Sequence, residues 1–574
     1  MSAHASFPTL AMVSVNRSLR RTWAQSALSC SDWLSLTGPV PDTIAYHPPD
    51  HRVGRLDMAV ALRNGVYALP GGQVNVEGGA APWRVRPPNR RWAEALNGFG
   101  WLHHFEAVNA PEAAQHVRWL ITTWLSESGQ WDALAWSPGV LARRLISWFS
   151  HGGMILEGAD LIWRVAFLRS VARQTRHLER TADWGEEGPH RLTAAVALTM
   201  SGLCLPNCMK RLGRGVRLLN QEIDNQILAD GGHMSRNPEV LLDITLDLVA
   251  LRDAFVEQDL EPPPKLQPTL DRMMPMLRFF RHGDGGLALF NGSTEGPFGA
   301  LEAALARDDV KGAPLRSATH SGYERIAYGR TLVIMDAGRA PEPAYASEAH
   351  AGPLSFEMSS GQHRVIVNCG ATTLRDYDWQ LPLRSTAAHS TVTLADTSTS
   401  QFVTGRWAAR VLGPRMVGGP AHLRTQRQDD EEQGTWLETA HDAYVPRFGI
   451  AHERRLYLNP QGNDLRGQDT LTPVPGAARR GGGPCPFELR FHLHPDVRAS
   501  QTRDGGAVLL ALPNGEGWNF RAAGGEIAVE ESIYLGCGEY PRPTTQVVVS
   551  GETGPEPTVL KWALRRAPKK RKKE

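Results

Sequence analysis

The sequence predicts a multidomain α+β chain, with a helical half followed by an antiparallel β half. Three observations carry this. Apolar residues recur at helical spacing up to about residue 312, short alternating segments punctuated by Gly, Pro, Asn and Asp follow it, and 574 residues exceed what one ordinary core encloses.

Residues 1–85 read as a partly irregular N-terminal segment. From 86 to 312 helices dominate. Residues 112–126 place Ala113, Val117, Leu120 and Trp124 on one face, and 161–180 do the same with Leu161, Val165, Leu168 and Ala172. Residues 192–205 are apolar nearly all round, as in a helix buried among others. Val216, Leu219, Ile223 and Ile227 mark a helix over 214–229 that Gly231-Gly232 ends. Asn237-Pro238 reads as a cap with proline at the first helical position, opening a helix striped by Leu241, Ile244, Leu248, Leu251 and Phe255. The stiff stretch QDLEPPPKLQP precedes a last helix around MMPMLRFF. Short connections imply antiparallel hairpins, which in succession can close into a toroid.

Between 313 and 560 the segments YERIAYGRTLVIMDAG, LSFEMSSGQHRVIVNCG, STVTLAD, RRLYLNP, FELRFHLHP and AVLLALP read as strands of a β-sandwich or barrel. Residues 561–574 read as a disordered basic tail, since seven of the last ten residues are Lys or Arg.

Net charge is only +2, and without that tail the body is slightly acidic, which argues against nucleic acid as a partner. No apolar run reaches the length of a membrane-spanning helix. FPTLAMVSV lacks a preceding basic region and is followed by RSLRR, the reverse of an export signal, which favours the cytoplasm. Six cysteines without paired CxxC spacing read as buried free thiols. Twelve of the seventeen tryptophans precede residue 185, so most pack in the core while one or two, such as Trp136, can line a sugar-binding groove.

The chemically suggestive residues fall in the β half. RSTAAHSTV (384–392) carries His389 where a strand begins, Glu348-Ala-His350 precedes another, and RVIVNCG holds Asn368. Such a trio can bind a metal or neutralise an anion.

Together with WSPGVLARRLISW (136–148), DGGHMSRNP (230–238) and HAGPLSFEM (350–358), the stretch RSTAAHSTV resembles the heparinase II/III-like polysaccharide lyase family, over about residues 90–555. The resemblance implies an incomplete (α/α) toroid joined to an antiparallel β-sandwich, an acidic polysaccharide as partner, an envelope or periplasmic location, and β-elimination at a uronic acid. That reaction needs a group to neutralise the carboxylate, a base to take the neighbouring proton and an acid for the leaving oxygen.

Carried over by position, the family's Asn-His pair falls on Pro189-His190, its tyrosine on Val240 and a following His on Leu241. The first histidine of the sandwich-edge pair is Glu348, and the metal-ligand Asp is Asn368. The candidate catalytic residues are therefore His190, His233, Arg236, Glu348 and Tyr377, with Arg384 and Trp136 as substrate contacts and His350, Asn368 and His389 as a possible zinc set. Each has a structural alternative. His190 can cap its helix, His233 and Arg236 can hydrogen-bond between the halves, Glu348 can be solvated, Tyr377 can pack, Arg384 can pair with Asp376 or Asp378, and the histidines with Asn368 can form a hydrogen-bond network. The substitutions make a non-catalytic binding or scaffold protein the second functional reading.

Overall fold

A computed structural model describes residues 36–568, apart from 78, 130, 186–187, 373–376, 404–414, 478–482 and 538–539; for residues 377 and 378 it describes the backbone alone. The longest helices among the described residues are α1 (Arg90–Gly98), α2 (Pro111–Glu127), α3 (Pro138–Ser150), α4 (Leu161–Thr181), α5 (Pro189–Cys204), α6 (Met209–Gln226), α7 (Pro238–Glu257) and α8 (Leu266–Phe280). Four of them open on proline, whose missing N–H has no intrahelical partner to lose there. Asn237 caps α7, its Oδ1 accepting from the N–H groups of Glu239 and Val240 at 2.8 and 3.2 Å.

Helix α5 is buried from Leu192 to Cys204 and packs against α3, α6 and α7. Two sequence expectations change. Helix α4 is buried only from Phe167 onward, and its first turn leaves Leu161 75 % exposed. Helix α6 stops at Gln226, because the following turn takes its own bonds: Leu228 N–H donates to Gly232 O and Met234 N–H to Gln226 O.

The motif at 136–148 is core. Trp148 is fully buried among Phe99, Trp124 and Phe167. Arg144, also fully buried, lies over the Trp124 ring and donates to Gln174 Oε1 and to the carbonyls of Asn97 and Ala135. Trp136 is 2 % exposed and donates to Ser128 O, so it has no face left for a sugar.

The β half is a sandwich of two antiparallel sheets. Its strands are β1 (Ser317–Ala318), β2 (Tyr323–Tyr328), β3 (Thr331–Asp336), β4 (Phe356–Ser360), β5 (His363–Val367), β6 (Val392–Leu394), β7 (Leu423–Asp430), β8 (Gly434–His441), β9 (Ile450–Leu458), β10 (Asp464–Pro473), β11 (Pro486–Leu493), β12 (Arg498–Gln501), β13 (Val508–Ala511), β14 (Gly517–Ala523), β15 (Glu526–Tyr534), β16 (Arg542–Glu552) and β17 (Thr558–Arg566). One sheet runs β15-β16-β11-β5-β4-β3-β2-β1 with β6 paired to β11; the other runs β7-β8-β9-β10-β17-β14-β13-β12. Inward residues of both, including Phe356, Leu456, Phe491, Phe520 and Trp562, form one core. Strand β17 extends to Arg566, so the sheet takes in part of the stretch read as a tail.

The two halves meet along a polar seam. Arg236, in the left-handed conformation at φ 58°, donates to Ser321 O, Arg339 O, Gly322 O and Asp336 Oδ1, at 2.5–3.0 Å. Its Nη2 passes so close to Gly338 that a Cβ there would lie 2.4 Å away. Further along, buried His282 meets Glu357 and Ser359, and Arg364 pairs with Asp284. Removing one partner of a buried ion pair strands the other charge and costs about 3–5 kcal/mol. Asp336→Asn is therefore expected to lower the free energy of unfolding by about that amount, read as a lower urea midpoint. A midpoint within error of the parent would show that the clamp is not needed for stability.

Candidate functional site

The first three turns of α7 place Glu239, Asp243 and Asp247 on one side, four residues apart. Three arginines from other elements face this stripe. Arg143 of α3 holds Asp247 with two 2.8 Å bonds, and Arg52 of the N-terminal segment reaches Asp247 at 2.9 Å and Asp243 at 3.6 Å. Arg91 of α1 reaches across to the β half, where its Nη1 lies 3.1 Å from Glu348 Oε1. The Arg91 and Glu348 side chains are 43 % and 44 % exposed. Arg91 also feels Glu239, Glu94 and Asp243, and this acidic surrounding, Glu348 foremost, holds its pKa above the usual value. Burial, with Asp243 adding to it, raises the Glu239 carboxyl against the bonds it accepts from Thr294. Together these residues form one charged cluster, which the Arg91–Glu348 contact carries across the two halves. The carboxylates of this cluster, Asp50, Glu94, Glu239, Asp243, Asp247 and Glu348, outnumber its guanidinium groups, Arg52, Arg91 and Arg143.

The residues singled out from the sequence do not converge on this cluster. Glu348 does. His190 is partly exposed on the first turn of α5, its ring over Gly139, where a Cβ would come within 2.7 Å of Nδ1. His233 is buried with both nitrogens engaged: Nε2 donates to Gln226 Oε1 at 3.0 Å, and Nδ1 accepts from Ser235. Arg236 has its donors committed to the seam. The expectation that His233 and Arg236 meet a substrate carboxylate is thus replaced by hydrogen bonding within and between the halves. Arg384 is buried and supports the Glu348 loop from beneath, donating to Ala349 O and Ala346 O, while its ring neighbour is Phe402. The side chain of Tyr377 lies outside the described residues, as do Asp376 and Asp378 as partners for Arg384.

His350, Asn368 and His389 lie in loops and at a strand end rather than on three strands. Two of them touch, His350 Nδ1 lying 3.1 Å from His389 Nε2. His389 Nδ1 sits 2.8 Å from Ser385 O, which can only accept, so His389 carries its proton there and its Nε2 accepts from His350. Asn368 turns away: Nδ2 donates to Leu289 O and Oδ1 accepts from Ser390 N–H. Its own N–H donates to Glu357 Oε1. A zinc site needs a third ligand, and among the described residues no group of three His, Cys, Asp or Glu side chains gathers. The donor set does not fit zinc, since the amide that would complete it is already bonded on both atoms.

Comparison with known proteins decides the lineage. Residues 154–296 match the heparinase II/III N-terminus and residues 310–563 the heparinase II/III-like C-terminal domain. A protein of Caulobacter vibrioides (strain NA1000 / CB15N), FtsZ-localized protein C, is 33 % identical over 548 residues, covering 93 % of this chain and 92 % of its own. This chain belongs to the heparinase II/III-like family. Among solved structures, heparinase III superposes with a TM-score of 0.70 at 12 % identity, covering 99 % of this chain and 93 % of that one. A heparan sulfate lyase HepC mutant from Pedobacter heparinus gives 0.61 at 15 %, covering 99 % and 90 %. At such identities these structures speak for the fold alone.

Within this heparinase II/III-like chain, the sequence reading missed Arg91, Glu239, Asp243 and Asp247. The i, i+4, i+8 spacing of the three acids was a visible signal; the position of Arg91 opposite them was not. Several histidines are buried and held neutral. Burial lowers His233 and His492 to about 3 and His389 to about 4, and pushes His350 well below its usual value. His151 goes the other way: burial opposes its charge, but bonds to Asp50 and Glu106 prevail and raise it to about 9. Where the unfolded chain binds more protons, stability rises with pH. The neutral histidines therefore withdraw stability as pH falls from about 6.5 towards 4, and His151 withdraws it as pH rises from about 6.5 towards 9. Urea midpoints are expected to peak between about pH 6 and 7 and to be lower at pH 5 and pH 9. A midpoint at pH 5 equal to that at pH 6.5 would refute the neutral buried state.

Proposed function

We propose that this chain is a catalytically silent member of its family, serving as a binding and scaffold protein associated with cell division. The observation that carries the reading is the commitment of His233 and Arg236. Both nitrogens of the imidazole are bonded, and the guanidinium donates to three carbonyls and Asp336. Neither can stabilise charge developing on a substrate carboxylate without giving up these bonds, which for Arg236 form the seam. The tyrosine position holds Val240, and the first histidine position holds Glu348, itself paired with Arg91. Of the family's proton-transfer groups only His190 keeps its residue type and an accessible ring, and one group cannot supply acid, base and carboxylate neutralisation together.

The scaffold role draws support from the Caulobacter relative, named for localising with FtsZ and alike over nearly its whole length. The cytoplasmic alternative is preferred to the periplasm: Cys204, Cys369 and Cys485 are buried as thiols rather than paired in disulfides, as a reducing compartment keeps them. No helix among the described residues is long and apolar enough to cross a membrane.

Two measurements test this reading. Incubation with heparan sulfate, alginate, hyaluronan and bacterial exopolysaccharides is expected to release no unsaturated uronate, followed by ultraviolet absorbance; sustained release from any of them would restore the lyase. A fluorescent fusion is expected to gather at the division site and to disperse when FtsZ is depleted, and a distribution indifferent to FtsZ would remove the scaffold assignment.

A further inference from the structure

Helix α4 presents one stripe to solvent along its length, and the stripe changes character partway. Ile162, Val165, Arg169, Arg173, Arg176 and Arg180 recur at three- and four-residue spacing, so they share a face. The beginning is apolar: with Leu161 at the same end, Ile162 is 85 % exposed and Val165 40 %. From Arg169 onward the stripe is basic. Helix α6 continues it, since Arg211 reaches Glu179 at 3.0 Å and exposed Lys210 precedes Arg211. Burial, and then the like charges of Arg211, Arg180 and Arg173, hold the Arg176 guanidinium below its usual pKa. The acids beside the stripe, Glu179 and Asp183, are already paired with Arg211 and Arg214. Among the described residues neither Arg169 nor Lys210 has a carboxylate within 4 Å. In a chain whose net charge is only +2, this is a local excess of positive charge.

We propose that this face docks an elongated acidic segment of a partner protein, apolar at one end. Its apolar residues would meet Leu161, Ile162 and Val165, and its carboxylates the basic side chains beyond. Charge complementarity selects the partner. Guanidinium forks at successive turns match carboxylates, and the exposed aliphatics, which lie over the stacked rings of Trp163 and Phe167, gain by losing water. A second copy is a poor occupant, because a self-complementary pairing would set one basic face against another. So are the ends of the same chain. Arg176 donates to Leu36 O at 2.9 Å and to Pro39 O, so residues 1–35 join this face, but they carry Arg17, Arg20 and Arg21 against Asp32. The C-terminal end is more basic still. A bilayer fits less well than a protein segment. A helix lying in the lipid interface keeps its apolar face along its length with the charges opposite. Here apolar and basic residues follow one another on the same face, as a segment laid along α4 would meet them. The inference rests on the scaffold reading, to which it adds a surface.

The test is fluorescence anisotropy of the full chain with a labelled synthetic peptide, leucine-rich at one end and glutamate-rich at the other. The controls are the same peptide with lysine for glutamate, and vesicles of phosphatidylglycerol and phosphatidylethanolamine. The parent is expected to bind the acidic peptide and not the basic one, less tightly as salt is raised. Arg169→Glu with Lys210→Glu is expected to weaken binding about tenfold, and Arg169→Lys to retain it. Ile162→Asp is also expected to weaken it. All three side chains are exposed, so urea midpoints are expected to stay at the parental value. The proposal is overturned if the parent ignores the acidic peptide, if it binds the basic one equally, or if the charge-reversed chain binds as tightly as the parent. Vesicle binding that these substitutions abolish, with the peptide unbound, would make the face a lipid surface instead. The two readings fail separately. A parent that gathers at the division site yet ignores the acidic peptide would end this surface and leave the scaffold. A parent that binds the peptide but is indifferent to FtsZ would end the scaffold assignment and leave the surface.

Discussion

The arrangement of the molecule depends on a single guanidinium placed where backbone carbonyls converge. Arg236 leaves the turn before α7 in a left-handed conformation that a non-glycine residue adopts only when its surroundings hold it there. Those surroundings are the β2–β3 hairpin and the residues on either side of it: three carbonyls, one carboxylate, and the ring of Tyr323 at 4.6 Å. Tyr323 in turn donates to the Arg236 carbonyl, so side chain and backbone are both satisfied inside the seam. With His282–Glu357 and Arg364–Asp284 further along, this side of the molecule is joined by buried charge, and the orientation of α7 relative to the sandwich follows from it.

That constraint sets what the opposite side can do. Because α7 begins immediately after the clamp, its acidic stripe is held facing the cleft, and the arginines arriving from α1, α3 and the N-terminal segment balance the stripe rather than a ligand. A surface shaped to hold a polyanion concentrates positive charge. Here the carboxylates around α7 outnumber the guanidinium groups, and one contact joins Arg91 to Glu348 across both halves. The charges around α7 are arranged to satisfy one another.

The parts of this that the sequence revealed are those set by local rules. Each of the six segments read as strands falls on strand residues, the first two on a pair of strands each, and the Asn237-Pro238 cap opens α7 where the pattern put it. The parts that stayed hidden depend on partners far along the chain. Arg236 could be read either as a carboxylate binder or as a link between the halves, and the choice turns on Asp336, a hundred residues away. Trp136 looked available to a sugar because composition reports that aromatics are present, not which way they face; its indole is shut in against His177. The stripe of acids on α7 escaped notice because the apolar stripe of Leu241, Ile244, Leu248, Leu251 and Phe255 on the same helix is stronger and explains the burial by itself.

Asn368 shows why the fold could outlast the chemistry. A carboxylate at this fully buried position would face the Leu289 carbonyl, to which it could not donate, and would sit beside Glu357, which already accepts the Asn368 N–H. Such a group is tolerable only with a cation to offset it. The amide needs none: one end donates to Leu289 O, the other accepts from Ser390 N–H, and both neighbours gain a partner. The same substitution that removes an anionic metal ligand therefore completes a neutral hydrogen-bond network and links Ser390, next to His389, to the helical half through Leu289. Val240, packed against the helical core, and Glu348, half in solvent, make no comparable demand on the seam, since neither takes part in the Arg236 bonds. Seam and cleft are separate sets of residues, and the first can remain intact while the second changes its role.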